Sequence, residues 1–152
     1  MIEIMVLKRL LLALLLGGII GYEREHAHKV AGLRTHMLVC VSSALITLTA
    51  LYGFKEFGGA SADAGSRIIA NILIGIGFIG GGAILRTESR VFGTTTAATL
   101  WTVAALGIAV GVGFTYAAVF VTLIGYLILT ILWKLETKIA GSSHTKPPEI
   151  HE

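Results

Sequence analysis

The sequence predicts an all-α integral membrane protein with five transmembrane helices. Of its 152 residues, 55% are hydrophobic and only 14% are charged, whereas a soluble domain carries about a quarter charged residues. A chain of this length cannot bury so much apolar surface in its own core and still face water. The lipid bilayer is therefore the first partner that the composition implies. The net charge of +3 does not indicate nucleic-acid binding, because the basic residues flank apolar segments, where they determine membrane topology.

The first predicted span covers residues 2–22, and Lys8 and Arg9 interrupt its apolar run. A basic start followed by a short apolar run also resembles a secretory signal peptide. No small-residue cleavage site follows the run, and the charged residues 23–25 come directly after it. We therefore interpret the segment as a retained span, in which Lys8 and Arg9 extend toward a membrane surface.

The second predicted span, residues 35–52, carries small polar side chains on one face, because they recur at spacings of four, three and four. These residues are His36, Cys40, Ser43 and Thr47. One interpretation is that they bond to backbone carbonyls or to neighbouring helices. The other is that this face meets the polar face of the third span and lines a polar interior. As the single cysteine, Cys40 can form no intrachain disulfide.

Residues 63–85 form the segment around which we expect the chain to be organised, and they contain the third predicted span, 67–85. Four residues in this segment are spaced four apart and share one helix face: Asp63, Arg67, Asn71 and Gly75. A charge at bilayer depth costs at least about 2.5 kcal/mol, so ionisable groups there usually pair or serve a function. Asp63 and Arg67 therefore form either a salt bridge that orients the helix or, with Asn71, the mouth of a polar pathway.

Asp63 is the candidate metal ligand of this face, because Mg²⁺ prefers oxygen ligands and keeps several waters. Glu56 and Glu3 would add carboxylates on the same side of the membrane. The positive charge of Arg67 beside them would disfavour a cation site with many carboxylate ligands. His26 and His28 are a weaker metal pattern, since two histidines two residues apart more often belong to a solvated loop.

No charged residue occurs between positions 94 and 133. As one helix this run would be about 60 Å long, about twice the thickness of a hydrocarbon core, so the chain must fold back. We expect the break near Gly111 and Gly113, because paired glycines are strong helix breakers. The break separates a fourth span at 95–110 from a fifth at 116–133.

Glycine pairs spaced four residues apart occur in three of the five spans, and such pairs let a second helix approach backbone to backbone. The glycines predicted to pack helices are Gly17, Gly21, Gly75, Gly77, Gly81, Gly107 and Gly111. The fourth span also carries a polar stripe that consists of Thr95, Thr99 and Thr102. We expect one polar pathway to be lined by Asp63, Arg67, Asn71, Ser43, Thr95 and Thr99.

Five spans place the two termini on opposite sides of the membrane. Eight basic residues lie on one side and four on the other, which assigns the first side to the cytoplasm. The eight are Arg24, Lys29, Arg34, Arg86, Arg90, Lys134, Lys138 and Lys146; the four are Lys8, Arg9, Lys55 and Arg67. The N-terminus and Asp63 are therefore expected outside, and residues 134–152 form a polar cytoplasmic tail after a transmembrane domain at 1–133.

The sequence predicts no enzymatic activity, because it has no nucleophile elbow, no H-E-x-x-H and no P-loop. The letters G-x-G-x-x-G do occur, from Gly75 to Gly80. They lie inside a membrane span with no strand before them, so they do not indicate a nucleotide site. No cofactor is expected apart from Mg²⁺ as a transported or sensed ion.

Four ordered motifs resemble those of the MgtC/SapB family and together cover about residues 5–130. They are Gly-Gly-Ile-Ile-Gly-Tyr-Glu-Arg-Glu (17–25), Ala-Gly-Leu-Arg-Thr-His-Met-Leu-Val (31–39), Asp63-x-x-x-Arg67 with Gly-Ile-Gly-Phe-Ile-Gly-Gly-Gly-Ala-Ile-Leu (75–85), and Gly-Thr-Thr-Thr-Ala-Ala-Thr-Leu-Trp (93–101). The family's motif positions correspond here to Glu23, Arg24, Glu25, Arg34, Asp63, Arg67, Asn71, Thr95, Thr96 and Thr99. Thr94 departs from the family pattern, where leucine is usual, and residues 41–43 depart from a usually glycine-containing stretch. The resemblance does not include the cytosolic ACT-like C-terminal domain of the virulence-associated members.

The resemblance implies a bacterial inner-membrane protein connected with magnesium homeostasis and survival at low Mg²⁺. Some family members act by binding membrane machines such as a P-type magnesium pump or the ATP synthase. Two functional hypotheses follow for this chain: a Mg²⁺ transporter or transport accessory, and a regulatory protein that docks on another membrane complex. The three glycine faces also suit a homodimer.

Overall fold

A computed structural model of the chain describes residues 2–53, 62–88 and 90–139. Its five long helices are α1 (Ile2–His26), α2 (Leu33–Tyr52), α3 (Ala62–Gly82), α4 (Thr94–Val112) and α5 (Thr115–Leu127). After α5 a π-helical segment (Ile128–Leu132) leads into α6 (Trp133–Ile139), and a two-stranded antiparallel hairpin, β1 (Leu85–Arg86) and β2 (Val91–Phe92), joins α3 to α4. Five helical segments are long and apolar enough to cross a membrane, so the predicted five-span membrane fold is confirmed.

The helices begin and end at somewhat different residues from the predicted spans. α1 continues past Tyr22 to His26, because the charged residues that follow the apolar run remain helical. α3 begins earlier than predicted, at Ala62, and ends earlier, at Gly82. The last helical segment runs past Trp133 to Ile139. The loop at 54–61 and the chain from residue 140 onward lie outside the described residues.

α2 lies between α1 and α4 and forms the centre of the bundle. A Cβ added at Gly17 of α1 would lie 2.7 Å from the Cys40 Cβ, and one added at Gly111 of α4 would lie 2.7 Å from the Thr47 Cβ. Gly21 and Gly107 approach α2 as closely, so both glycine pairs, 17/21 and 107/111, lie in tight helix–helix contacts. Glycine permits this approach because it places only backbone atoms at the contact.

Small and aliphatic side chains of three helices fill the main core around α2. Its buried members from those helices are Ala13, Leu16 and Ile20 of α1, Cys40 and Ala44 of α2, and Val103, Leu106 and Val110 of α4. The outer faces remain strongly apolar: Phe78 is 88% exposed and Tyr116 is 92% exposed. Large exposed apolar residues all around a bundle are typical of a surface that contacts lipid.

α3 lies at the edge of the bundle, so the expectation that it organises the chain is wrong. Among the α3 residues whose side chains are described, only Gly65, Ile76 and Gly80 are buried, and Gly80 faces Ala97 of α4. The other described residues of α3 are half-buried or exposed, because α2 packs most of its buried residues against α1 and α4 instead.

The glycines of the third predicted packing site have no neighbour within the described chain. A Cβ added at Gly75, Gly77 or Gly81 would meet no atom within 4 Å. These three glycines therefore do not pack against another helix among the described residues of the same chain. A glycine pair marks a smooth helix face, and whether a helix covers that face depends on the rest of the fold.

Two turns that position the ends of α4 require glycine. Gly93 precedes α4 with a φ of 85°, and a Cβ there would overlap the Ala83 carbonyl oxygen. Gly113 follows α4 with a φ of 112°, and its N–H donates to the Ala109 carbonyl at 3.0 Å. Both values lie in the left-handed region that favours glycine. The predicted fold-back near Gly111 and Gly113 is thus confirmed. We call the end of the bundle that carries β1 and β2 the hairpin end.

Candidate functional site

An open groove of about 540 Å³ runs between α2 and α3. Its walls are mostly aliphatic, and three polar side chains lie among them: Ser42, Ser43 and Asn71. Ser43 is 4% exposed and lies at the base of the groove, where α2 also contacts Gly107 of α4. The groove therefore brings together two of the residues predicted to line a polar pathway, Ser43 and Asn71.

The charged start of the predicted pathway lies in the first two turns of α3. Asp63 belongs to the helix, but its carboxylate lies outside the described part of the structure, so its pairing with Arg67 stays a prediction. Arg67 is exposed one turn before Asn71 on the same face. Glu3 is exposed at the start of α1, and Glu56 lies outside the described residues.

The buried polar face of α2 meets the polar face of α3 only in part: Ser43 lines the groove with Asn71, whereas His36, Cys40 and Thr47 pack against α1 and α4. His36 is fully buried between α2 and α4, where its Nε2 lies 2.9 Å from the Thr99 hydroxyl. Its Nδ1 donates to the Gly32 carbonyl at 2.8 Å, because a carbonyl oxygen can only accept. The Thr99 hydroxyl has one proton and lies 2.9 Å from both His36 Nε2 and the Thr96 carbonyl oxygen, so it can donate to only one of them at a time. The Thr47 hydroxyl makes a hydrogen bond within its own helix, donating to the Ser43 carbonyl oxygen at 2.8 Å.

Four of the six predicted pathway residues consequently lie in three separate places. Asn71 and Ser43 line the α2–α3 groove, Thr99 bonds His36 in the interface between α2 and α4, and Thr95 is exposed at the first turn of α4 at the hairpin end. Within the described residues these side chains do not form one continuous polar line. The α2–α3 groove is the part of the predicted site that the structure assembles.

The motif charges after the first span form a buried ion pair. Arg24 is 2% exposed and Glu23 is 9% exposed, and the Arg24 Nε donates to the Glu23 carboxylate. Glu25 is exposed, and its carboxylate accepts the Leu33 N–H at 2.9 Å, which fixes the turn between α1 and α2. Arg34 is exposed at the start of α2.

Arg9 has a structural role that sequence reasoning missed. Its Nη1 donates to the Gly111 carbonyl at 2.7 Å, and its guanidinium lies 5.9 Å from the centre of the Tyr52 ring. A cation at the last turn of α4 satisfies an orphan carbonyl and complements the negative end of the helix dipole. Arg9 therefore ties α1 to the end of α4. A basic residue close in space to a helix C-terminus cannot be recognised from its sequence neighbours.

Within the described residues no group of three or more histidine, cysteine, aspartate or glutamate side chains is arranged to hold a metal ion. His26 instead stacks on Tyr22, with ring centroids 6.3 Å apart. The carboxylate of Asp63, the predicted metal ligand, is not among the side chains that the structure describes.

Comparison with known proteins identifies the family. The family model described as "MgtC family" matches residues 10–138, which is most of the chain and all five spans apart from the beginning of α1. The chain belongs to the MgtC family. The family resemblance read from the four sequence motifs is thereby confirmed, and the chain is a multi-pass membrane protein.

Several MgtC-family relatives match over most of this chain. YhiD of Escherichia coli K12, whose name provisionally gives it as a magnesium transporter, is 36% identical over 90% of this chain and 64% of its own length. Protein SrpB of Synechococcus elongatus is 35% identical over 95% of this chain and 89% of its own length. Protein MgtC of Salmonella typhimurium LT2 is 43% identical over 68% of this chain and 42% of its own length.

The chain thus spans less than two thirds of the length of YhiD and less than half of Salmonella MgtC. No solved structure matches it.

Proposed function

We propose that this chain acts in magnesium homeostasis in the bacterial inner membrane, as a Mg²⁺ transporter or transport accessory and not as an enzyme. The proposal rests on its membership of the MgtC family, in which YhiD carries the provisional name of a magnesium transporter. The single structural observation that supports it is the α2–α3 groove. Ser43 of α2 and Asn71 of α3 both line this groove, and Asn71 lies on the α3 face that begins with Asp63 and Arg67.

The chemistry of the groove sets a condition on transport. Mg²⁺ demands six oxygen ligands in octahedral geometry and gives up its waters reluctantly. Three polar side chains in an otherwise aliphatic groove cannot replace that shell. The ion therefore passes along Asn71 largely hydrated, and a second wall has to separate it from lipid.

In this proposal a second copy of the chain supplies that wall. The open face of α3 carries Gly75, Gly77 and Gly81, which have room for a close helix contact. A homodimer built on this face would put two grooves and two Asn71 side chains near each other. It would also cover polar groups that are costly to leave against lipid.

A regulatory role is the second candidate, and the same glycine face favours it. A helix that presents unpacked glycines along one side suits docking on a transmembrane helix of another protein, such as a P-type magnesium pump or the ATP synthase. The two candidates differ in whether Asn71 and Asp63 are essential. Transport needs Asn71 and Asp63 as well as the glycine face, whereas docking needs the glycine face alone.

Growth under magnesium limitation tests the proposal. In a bacterial strain that lacks its own magnesium uptake systems, we expect this protein to restore growth at low Mg²⁺ and Asn71→Leu to lose most of that rescue. Ile74→Leu is the matched control, because Ile74 is 73% exposed one turn further along α3 and does not line the groove. Rescue that survives Asn71→Leu but is lost with Gly77→Leu would contradict the transport assignment and favour docking.

A further inference from the structure

A second cavity, of about 350 Å³, lies at the hairpin end and is not part of the α2–α3 groove. Arg24 at the end of α1 and Lys29 just after it form one side, and Thr94–Thr96 at the start of α4 form another. The π-helical segment after α5 closes the cavity with Leu129, Leu132 and the following Trp133. Segments about a hundred residues apart in sequence thus converge on one space, and two of its sides carry cationic or hydrogen-bond-donating groups.

The first turn of α4 supplies backbone donors to this cavity. The residue before the helix is Gly93, which has no side chain and makes no capping hydrogen bond. The N–H groups of the first turn have no partner within the helix, and they form the positive end of the helix dipole. Helix N-termini with these properties are common binding positions for phosphate groups.

Two buried polar side chains in the cavity have donor groups without a protein partner. Thr96 is 2% exposed, and its hydroxyl has no hydrogen bond within the described residues. Arg24 is as deeply buried, and only its Nε bonds to Glu23, so its two terminal nitrogens are unpaired in the described chain. Among the described residues, every side-chain nitrogen or oxygen atom that solvent cannot reach has a hydrogen-bond partner. The unpaired groups of Thr96 and Arg24 are therefore open to the cavity that they line.

The balance of charge favours an anion. Glu23 compensates the charge of Arg24, and Glu25 is engaged with the Leu33 N–H and does not line the cavity. Lys29 and the positive end of the α4 dipole are then left without a compensating carboxylate among the described residues that line the cavity. A ligand with several acceptor oxygens and a negative charge would satisfy these donors together.

We propose that this cavity binds a phosphate group, held by Lys29, the terminal nitrogens of Arg24, the Thr96 hydroxyl and the first-turn amides of α4. Two sources carry this chemistry: free phosphate from the aqueous phase, and the phosphodiester of an anionic lipid headgroup. Leu132 and Trp133 are both exposed and extend the cavity wall onto the apolar surface of the bundle. An acyl chain could therefore lie beside a bound headgroup.

Trp133 gives a direct reporter of this site. The chain has two tryptophans, so in a Trp101→Phe background the emission comes from Trp133 alone. We expect inorganic phosphate, added to the purified protein in an uncharged detergent at constant ionic strength, to change this emission saturably. Lys29→Gln and Thr96→Val should each weaken the binding about tenfold, because each removes a donor to a charged ligand.

Matched controls separate this site from general electrostatic attraction. Arg34→Gln removes an exposed cation near the same end, and Thr102→Val removes a hydroxyl that bonds Ala98 outside the cavity. Both should bind phosphate as the parent protein does. A second titration with a short-chain phosphatidylglycerol identifies the source.

A response to the lipid alone, lost in Lys29→Gln, assigns the site to a headgroup. A response to inorganic phosphate assigns it to the free anion. The absence of both responses, or equal weakening by the control variants, would overturn the proposal.

Discussion

Replacing Arg24 with glutamine is expected to destabilise the folded protein by about 3–5 kcal/mol, because it leaves the Glu23 carboxylate buried without its partner. Arg24 is 2% exposed and Glu23 is 9% exposed, so the charge that remains would have little access to water. Glu23→Gln should cost a similar amount for the same reason. The double variant should be much less destabilised than the sum of the two single changes, since it removes both charges at once.

The measurement is the free energy of unfolding in mixed detergent micelles, followed by circular dichroism as the fraction of denaturing detergent rises. Arg34→Gln is the control, because Arg34 is exposed at the same end of the bundle, and it should change the free energy by less than about 0.5 kcal/mol. If the effects of Glu23→Gln and Arg24→Gln simply add, the two side chains do not interact, and the buried ion pair is refuted.

Adding one methyl group at Gly107 is expected to have the other large effect. The new Cβ of Gly107→Ala would overlap the Cys40 carbonyl oxygen and lie 2.8 Å from the Ser43 Cβ. Two helices in a close-packed interface would have to separate, at a cost of about 3 kcal/mol. Alanine's better helix propensity, about 1 kcal/mol over glycine, offsets only part of that cost.

Gly77→Ala is the matched control, since a Cβ there would meet no atom within 4 Å. It should leave the unfolding free energy unchanged or raise it by up to about 1 kcal/mol. The same detergent titration compares the two variants. Equal stability of Gly107→Ala and Gly77→Ala would contradict the close contact between α2 and α4.

The three glycine pairs show what a sequence pattern can and cannot predict. All three predict a helix face without side chains, and 17/21 and 107/111 do lie against α2. The pair 77/81 has the same spacing but no neighbour, because the pattern describes one helix and not the helix that approaches it. The fold-back at Gly113 was predictable for a different reason: bilayer thickness limits the length of a helix, whatever it packs against.

The two polar sites differ in how far local sequence could reveal them. Asn71 shares a helix face with Arg67, so its place on a polar surface follows from periodicity. Ser43 was predicted for the same pathway and lines the α2–α3 groove with Asn71, but the rest of its helix face packs against α1 and α4. The buried Glu23–Arg24 pair could not be predicted. Helix periodicity does not indicate that adjacent residues pair, and only tertiary packing encloses the two side chains. The hairpin-end cavity also depends on tertiary packing, which brings α1, α4 and the segment after α5 together.

Mg²⁺ uptake into liposomes that contain only this purified protein tests the central claim most directly. An internal magnesium indicator would compare the wild type with Asp63→Asn and Asn71→Leu, and protease protection would report the orientation of the inserted protein. We expect uptake by the wild type above that of protein-free liposomes, and loss of most of it in both variants. Folded wild-type protein that gives no uptake would contradict transport by this chain, and uptake that both variants retain would contradict a pathway along α3.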